Sequence, residues 1–173
     1  MSGYGAGIGS EVNSFGAGAG FYSKAASPRV GNTGRVYAIE VQKDLVKKLE
    51  SEIKTWGSSN VECIWGDIEK HGGTKIADKS IDAIICVLPY GTTNCKWDSV
   101  LDLNKLWEQY KRVLTDNGVV ILFAQTPFDK VLGCSNLEWL KSENSFTCRC
   151  LRAMAVYAWN CENVRARNQF LHR

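Results

Sequence analysis

Alternating glycines, followed twenty residues on by an acid that ends an apolar run, constrain this chain more than any other feature. The glycine stretch reads Val12-Asn13-Ser14-Phe15-Gly16-Ala17-Gly18-Ala19-Gly20-Phe21-Tyr22, and the apolar run is Arg35-Val36-Tyr37-Ala38-Ile39-Glu40. Glycines separated only by alanines let the backbone turn tightly and put nothing larger than a methyl in a ligand's way. A carboxylate at the tip of the next strand is placed to accept hydrogen bonds from a ribose. Strand, glycine loop, helix, strand and terminal acid, in that order, predict a nucleotide-type cofactor site.

The same alternation continues along the chain. Val12 to Phe15 is predicted as a first strand, although Asn13 and Ser14 make it a poor one. A helix is expected from Phe21 to Ala26, ended or bent at Ser27-Pro28. Leu45, Val46, Leu49 and Ile53 mark the buried face of a helix over Lys43 to Thr55. Val61 to Trp65 follows as a third strand, and Ile81 to Cys86 is apolar enough for a central strand covered on both faces. Leu103, Leu106, Trp107, Tyr110, Val113 and Leu114 form one helical stripe, with Asn117-Gly118 as its stop. Val119 to Ala124 is a fifth strand, and Phe128 to Cys134 a short helix, followed by Leu137 to Leu140. Five strands separated by helices predict an α/β fold, a Rossmann-like, doubly wound, mostly parallel sheet. Ligands of such sheets lie beyond the carboxyl ends of the strands, where the glycine loop and Glu40 belong. The end of the chain is expected to be truncated or atypical: residues 1–141 form the domain, 1–11 as a flexible lead, and 142–173 a basic, cysteine-containing tail packed on it. Within that tail Ala153 to Trp159 is a strand candidate.

Composition narrows the class. The chain has 173 residues, 45% apolar and 23% charged, as one soluble domain with a real core would have. It has no apolar run of membrane-span length and no basic, apolar leader, so no membrane partner is expected. Seven cysteines, an odd number spread through strand-like and helix-like stretches, favour reduced thiols in a cytoplasm. Residues 142–173 hold five arginines against Glu143 and Glu162, so the whole formal excess of +3 lies in the tail. That suggests an anionic partner there.

Two resemblances attach to these motifs. Residues 12–86 resemble the cofactor half of a class I S-adenosylmethionine-dependent methyltransferase, through Phe15-Gly16-Ala17-Gly18-Ala19-Gly20, Tyr37-Ala38-Ile39-Glu40 and Trp65-Gly66-Asp67-Ile68. The resemblance implies that Phe15, Gly16, Gly18 and Gly20 cradle the methionine part of S-adenosyl-L-methionine. It implies that Glu40 holds the ribose hydroxyls and that Asp67 and Ile68 face the adenine. The family has an acid two residues before the first glycine, where this chain has Ser14. Residues 87–141 resemble the phage-type adenine-specific DNA methyltransferases, through Pro89-Tyr90-Gly91-Thr92-Thr93, Cys95-Lys96-Trp97-Asp98-Ser99-Val100, Leu106 to Arg112 and Leu122 to Phe128. Their loop reads Asp-Pro-Pro-Tyr; here it is Val87-Leu88-Pro89-Tyr90. This implies DNA as substrate and partner, with Pro89 and Tyr90 as catalytic-loop residues and Tyr90 stacking on a base swung out of the duplex. Those enzymes carry their glycine loop after this region rather than before it, so the chain looks like a chimera joined at Cys86/Val87.

Weaker features have ordinary explanations. Glu40 could be a solvated strand-end carboxylate, Asp67 a turn residue and Tyr90 a wall of the pocket mouth. Lys96 and Trp97 are candidate substrate contacts, and Arg149, Arg152, Arg165 and Arg167 candidate phosphate contacts. Cys148, Cys150, Cys161 and His172 fit no standard zinc spacing, so no metal is expected. The expected function is methyl transfer to the adenine amino group of DNA, weak or absent because Val87 replaces an acid. The alternatives are a binding module without catalysis and a small-molecule or protein methyltransferase.

Overall fold

The computed structural model describes residues 7–95, 98–136, 145–149 and 154–160, the last two stretches as strands of the sheet. Lys96, Trp97, the Leu137 to Leu140 stretch and the tail side chains considered for zinc or phosphate lie outside that description.

Seven strands form one sheet in the order β3-β2-β1-β4-β5-β7-β6. They are β1 (Glu11–Phe15), β2 (Arg35–Glu40), β3 (Val61–Trp65), β4 (Ile81–Val87), β5 (Leu114–Gln125), β6 (Ser145–Arg149) and β7 (Met154–Asn160). The helices are α1 (Phe21–Val30), α2 (Lys43–Thr55), α3 (Leu103–Val113) and α4 (Phe128–Cys134). The first five strands are parallel, so their carboxyl ends share one edge. β1 is the middle one of these five, where the chain turns from building outward through β2 and β3 to building the other way through β4 and β5. Ligands of open α/β sheets bind at such a reversal.

Alternation along the strands sorts the core into two layers. Phe15, Ile84, Cys86 and Leu88 join Leu106, Trp107 and Tyr110 of α3 and Phe128 and Leu132 of α4 on one face. Val12, Val36 and Ala83 meet Ala26 and Val30 of α1 on the other. α3 begins cleanly because Asp102 accepts from the backbone N–H of Asn104 at 3.1 Å and of Lys105 at 3.4 Å. Its stripe then delivers Leu106, Trp107, Tyr110 and Val113 to the core.

Two expectations change, and a third gains its place in the sheet. α1 does not stop at Ser27 but runs to Val30 with Pro28 inside its last turn. α3 ends at Val113, so Leu114 to Gly118 open β5 rather than close a helix. The Ala153 to Trp159 strand candidate is found as β7, which lies antiparallel along β5 from Val119↔Asn160 to Gln125↔Met154, and β6 pairs with β7. β7 and β6 thus extend the sheet beyond β5, which is interior. A chain ending at Lys141 loses both strands and bares β5 as an unpaired apolar edge. We expect that truncated chain to aggregate, and a soluble, monomeric, folded product in sedimentation would contradict this pairing.

Candidate active site at the carboxyl edge of the sheet

The glycine loop leaves β1 at Phe15, crosses the reversal point and enters α1. Gly16, Gly18 and Gly20 have φ of 62°, 53° and 82°, the left-handed region that side chains rarely adopt. Their surroundings separate them by duty. A Cβ on Gly16 would meet only the Val87 carbonyl, at 3.5 Å, and one on Gly18 nothing nearer than 4.0 Å. These two face open space. A Cβ on Gly20 would come within 2.5 Å of both Leu49 Cδ1 and Trp56 Cη2, so Gly20 lets α1 begin against α2 and its role is packing. Phe15 has only its backbone at the site. Its ring is 3% exposed and packs against Tyr110 with centroids 5.5 Å apart.

Glu40 is buried at the tip of β2 and organises the loop. Its Oε2 accepts the Gly18 N–H at 3.0 Å, and its Oε1 accepts those of Val41 and Gln42, both at 2.9 Å. A carboxylate has about four acceptor positions. Three donors engage them here, which leaves one on Oε2 for a ribose hydroxyl. Beside it Val41 is 56% exposed, an apolar surface suited to the face of a ring. Sequence reasoning passed over Val41, and its position directly after the strand-end acid was the available signal. Trp65 flanks it, donating its indole N–H to the Val41 carbonyl at 2.9 Å, with Lys43 Nζ 4.5 Å from its ring centroid.

Glu40→Ala is expected to weaken S-adenosylmethionine binding by about 1.5–3 kcal/mol, the usual worth of hydrogen bonds to a charged group. Isothermal titration checks this, and an unchanged affinity would remove Glu40 from the site.

Asp67 and Ile68 reach the same edge, since the Gly66 N–H donates to the Glu40 carbonyl at 3.1 Å. Asp67 also serves its own turn: Oδ1 accepts the Glu69 N–H at 3.0 Å and Oδ2 pairs with Lys70 at 3.1 Å. Ile68 packs half-buried against the core.

Across the mouth stands the loop after β4. Leu88 is 2% exposed and belongs to the core, whereas Val87 is half-buried on the opposite face, with its carbonyl towards Gly16. Pro89 and Tyr90 are half-buried. The Tyr90 ring leans on Phe128, centroids 5.8 Å apart, and its hydroxyl is buried with no partner among the described residues. Burial raises the Tyr90 pKa. Tyr22 of α1 stacks on Phe123 of β5 at 4.9 Å, and Phe21 beside it is 76% exposed. Asp98 gathers the loop from within: Oδ1 accepts the N–H groups of Tyr90 and Gly91 at 2.8 and 2.9 Å, and Oδ2 those of Thr92 and Thr93 at 3.0 and 2.7 Å. Cys86, just behind the mouth, is no nucleophile, because burial pushes its thiol up to about 12.

The Thr93 hydrogen bond, followed by the N–H groups of Gly91, Thr93 and Tyr90, holds the Asp98 carboxyl down at about 2 against desolvation. A carboxylate whose folded pKa is depressed stabilises the fold above its unfolded value and loses that contribution as pH falls through the folded one. The melting temperature is therefore expected to carry an acid limb between about pH 4 and pH 2 that Asp98→Asn flattens. Identical profiles for the two proteins would deny the carboxylate this role.

The arrangement fits S-adenosylmethionine: open space over Gly16 and Gly18, one free acceptor position on Glu40, and an exposed apolar side chain next to it. Among the described residues no group of His, Cys, Asp and Glu could hold a metal ion, and no helix is long and apolar enough to cross a membrane.

Comparison with known proteins agrees. The methyltransferase-domain family model matches residues 11–161, running without a break across the Cys86/Val87 junction. A protein-L-isoaspartate O-methyltransferase of Thermosipho melanesiensis is 30% identical over 122 residues, which cover 70% of this chain. The match spans only 54% of that relative's length. A SAM-dependent methyltransferase of Aquifex aeolicus has the same fold, with TM-score 0.67 and 23% identity over 91% of this chain and 85% of that one. A Streptococcus mutans protein solved with S-adenosylhomocysteine superposes with TM-score 0.65 and 16% identity, over 89% of this chain and 90% of its own. With the β3-β2-β1-β4-β5-β7-β6 sheet and the glycine loop at its centre, the chain belongs to the class I S-adenosylmethionine-dependent methyltransferase domains.

Proposed function

We propose that the protein transfers a methyl group from S-adenosylmethionine to the exocyclic amino group of adenine in DNA. The observation that carries this reading is the meeting, at one edge, of the Gly16–Gly18–Glu40 cradle and the loop after β4, where the Val87 carbonyl lies 3.5 Å from the position of a Cβ on Gly16. The resemblance of residues 87–141 to adenine-specific DNA methyltransferases supports the choice of acceptor.

When bound, the cofactor supplies a methyl on a sulfonium centre, open to in-line attack. Gly16 and Gly18 leave room for it, and Glu40 would hold its ribose. Val41 and Ile68 would flank the adenine ring, with Asp67 at its edge. Pro89 and Tyr90 would form the wall against which the acceptor base lies. The protein's contribution is mainly alignment of an amine with the methyl, a large share of what such a transfer needs. An acceptor for the amine's hydrogen is the weak point, because Val87 offers only its backbone oxygen.

That weakness favours a second reading, transfer to a carboxylate oxygen. A carboxylate acceptor is already anionic, and an acid at position 87 would repel it. The T. melanesiensis relative is named an O-methyltransferase. Incubation with methyl-labelled cofactor and either duplex DNA or an isoaspartyl peptide separates the two. The first reading expects acid-stable label on adenine; base-labile label on the peptide, released as methanol, would replace it with the second.

A further inference from the structure

Between β4 and α3, the described residues from Leu88 to Cys95 and from Asp98 to Asp102 belong to no helix or strand. Connections this long and irregular are uncommon in compact domains unless they serve a function, and they need something to hold them in one shape. Here the side chain that holds most of it is Asp98, while Thr93 Oγ1 accepts the Cys95 N–H at 3.3 Å and Glu69 Oε1 the Asp102 N–H at 2.9 Å. Asp98 is 7% exposed, and its two oxygens accept four consecutive backbone N–H groups, from Tyr90 to Thr93, at 2.7 to 3.0 Å. Its own N–H donates to the Cys95 carbonyl at 3.0 Å, which ties the far end of the loop back on itself. Gly91 makes the wrap possible. Its φ is 68°, and a Cβ there would come within 2.9 Å of Val100 Cγ2.

With about four acceptor positions met by at least four donors of its own loop, the carboxylate has nothing left to offer a substrate, a proton or a metal. It is also aimed at the loop's own backbone. We infer that Asp98 is the positioning residue of the acceptor mouth: its carboxylate fixes residues 90–93 as one rigid arc, and so sets where the acceptor can lie against Tyr90. The inference rests on the methyl-transfer reading above for what enters the mouth, but not for the arc itself. Glu40 performs the matching task on the other side, where it holds Gly18. Two buried carboxylates, each holding backbone N–H groups, thus frame the pocket, one for the cofactor and one for the acceptor.

The test uses the full-length chain with Asp98→Ala and Asp98→Asn. Hydrogen exchange at the amides of Tyr90, Gly91, Thr92 and Thr93 should speed up by about tenfold or more in the alanine variant, as local opening becomes easier. The asparagine variant keeps one carbonyl oxygen and should retain protection at two of the four amides. S-Adenosylmethionine affinity should stay within about twofold for both variants, while KM for a duplex DNA probe rises by about fivefold or more, the split expected when only acceptor placement is lost. Unchanged exchange at all four amides would overturn the inference. So would an equal loss of cofactor affinity, which a merely structural role would produce. If the unaltered chain methylates no DNA, the adenine reading fails, and the exchange pattern with the cofactor titration still decides the role of Asp98.

Discussion

Gly18→Val should abolish S-adenosylmethionine binding while leaving the sheet intact. At φ 53° a branched residue is strained, and the open space over Gly18, where nothing lies nearer than 4.0 Å to a Cβ, is the space the ligand needs. Relief of that strain would also shift the residue 18 N–H that Glu40 Oε2 accepts at 3.0 Å. Gly20 would be a poorer choice, because side chains there collide with Leu49 and Trp56 and damage would come through the fold. A calorimetric titration of the variant, with far-ultraviolet circular dichroism as the check on folding, decides this. Binding at the unaltered affinity would show that the ligand lies elsewhere.

The second large effect is expected at Val87. Transfer to an adenine amine develops positive charge on that nitrogen, and a preorganised acceptor aimed at it is worth about 2.7–4 kcal/mol, or a hundred- to thousandfold in rate. The unaltered chain should therefore methylate adenine very slowly, and Val87→Asp should restore much of that factor. Only this position should be changed. Leu88, which stands where the resembling loops have a proline, is 2% exposed among Cys86, Leu106 and Tyr110, so replacing it would open the core. Brisk adenine methylation by the unaltered chain would mean that another group does the work. A gain of less than about twofold from Val87→Asp, with cofactor binding intact, would favour the carboxylate acceptor instead.

Local signals carried much of this architecture. The strands β2, β4 and β5 were legible because each holds a short apolar run, β1 because it leads into the glycine loop, and α2 and α3 because their stripes repeat at helical spacing. The cradle was legible because glycine spacing and a strand-end acid are both visible in one dimension. Long-range facts were hidden. Nothing around Glu40 shows that its carboxylate spans 22 residues to reach the Gly18 N–H. Nothing around Asp98 shows that it gathers Tyr90 to Thr93, since side chain-to-backbone bonds across a loop have no period. Gly20 looks like its two neighbours until Leu49 and Trp56 are brought beside it. β7 was legible as the Ala153 to Trp159 run, but β6 was missed because Ser145 to Arg149 reads as a polar, breaker-free stretch whose place depends on β7 lying against β5.

The most direct measurement of the cofactor site is a titration of the ¹⁵N-labelled protein with S-adenosylmethionine, followed amide by amide. The expected result is saturable shifts concentrated at Gly16, Gly18, Val41 and Asp67, with Gly20 and the β5 amides little moved. Shifts confined to the ≈ 400 Å³ groove lined by Tyr37, Cys63, Ile64 and Ile76, or no shift at any concentration, would contradict it.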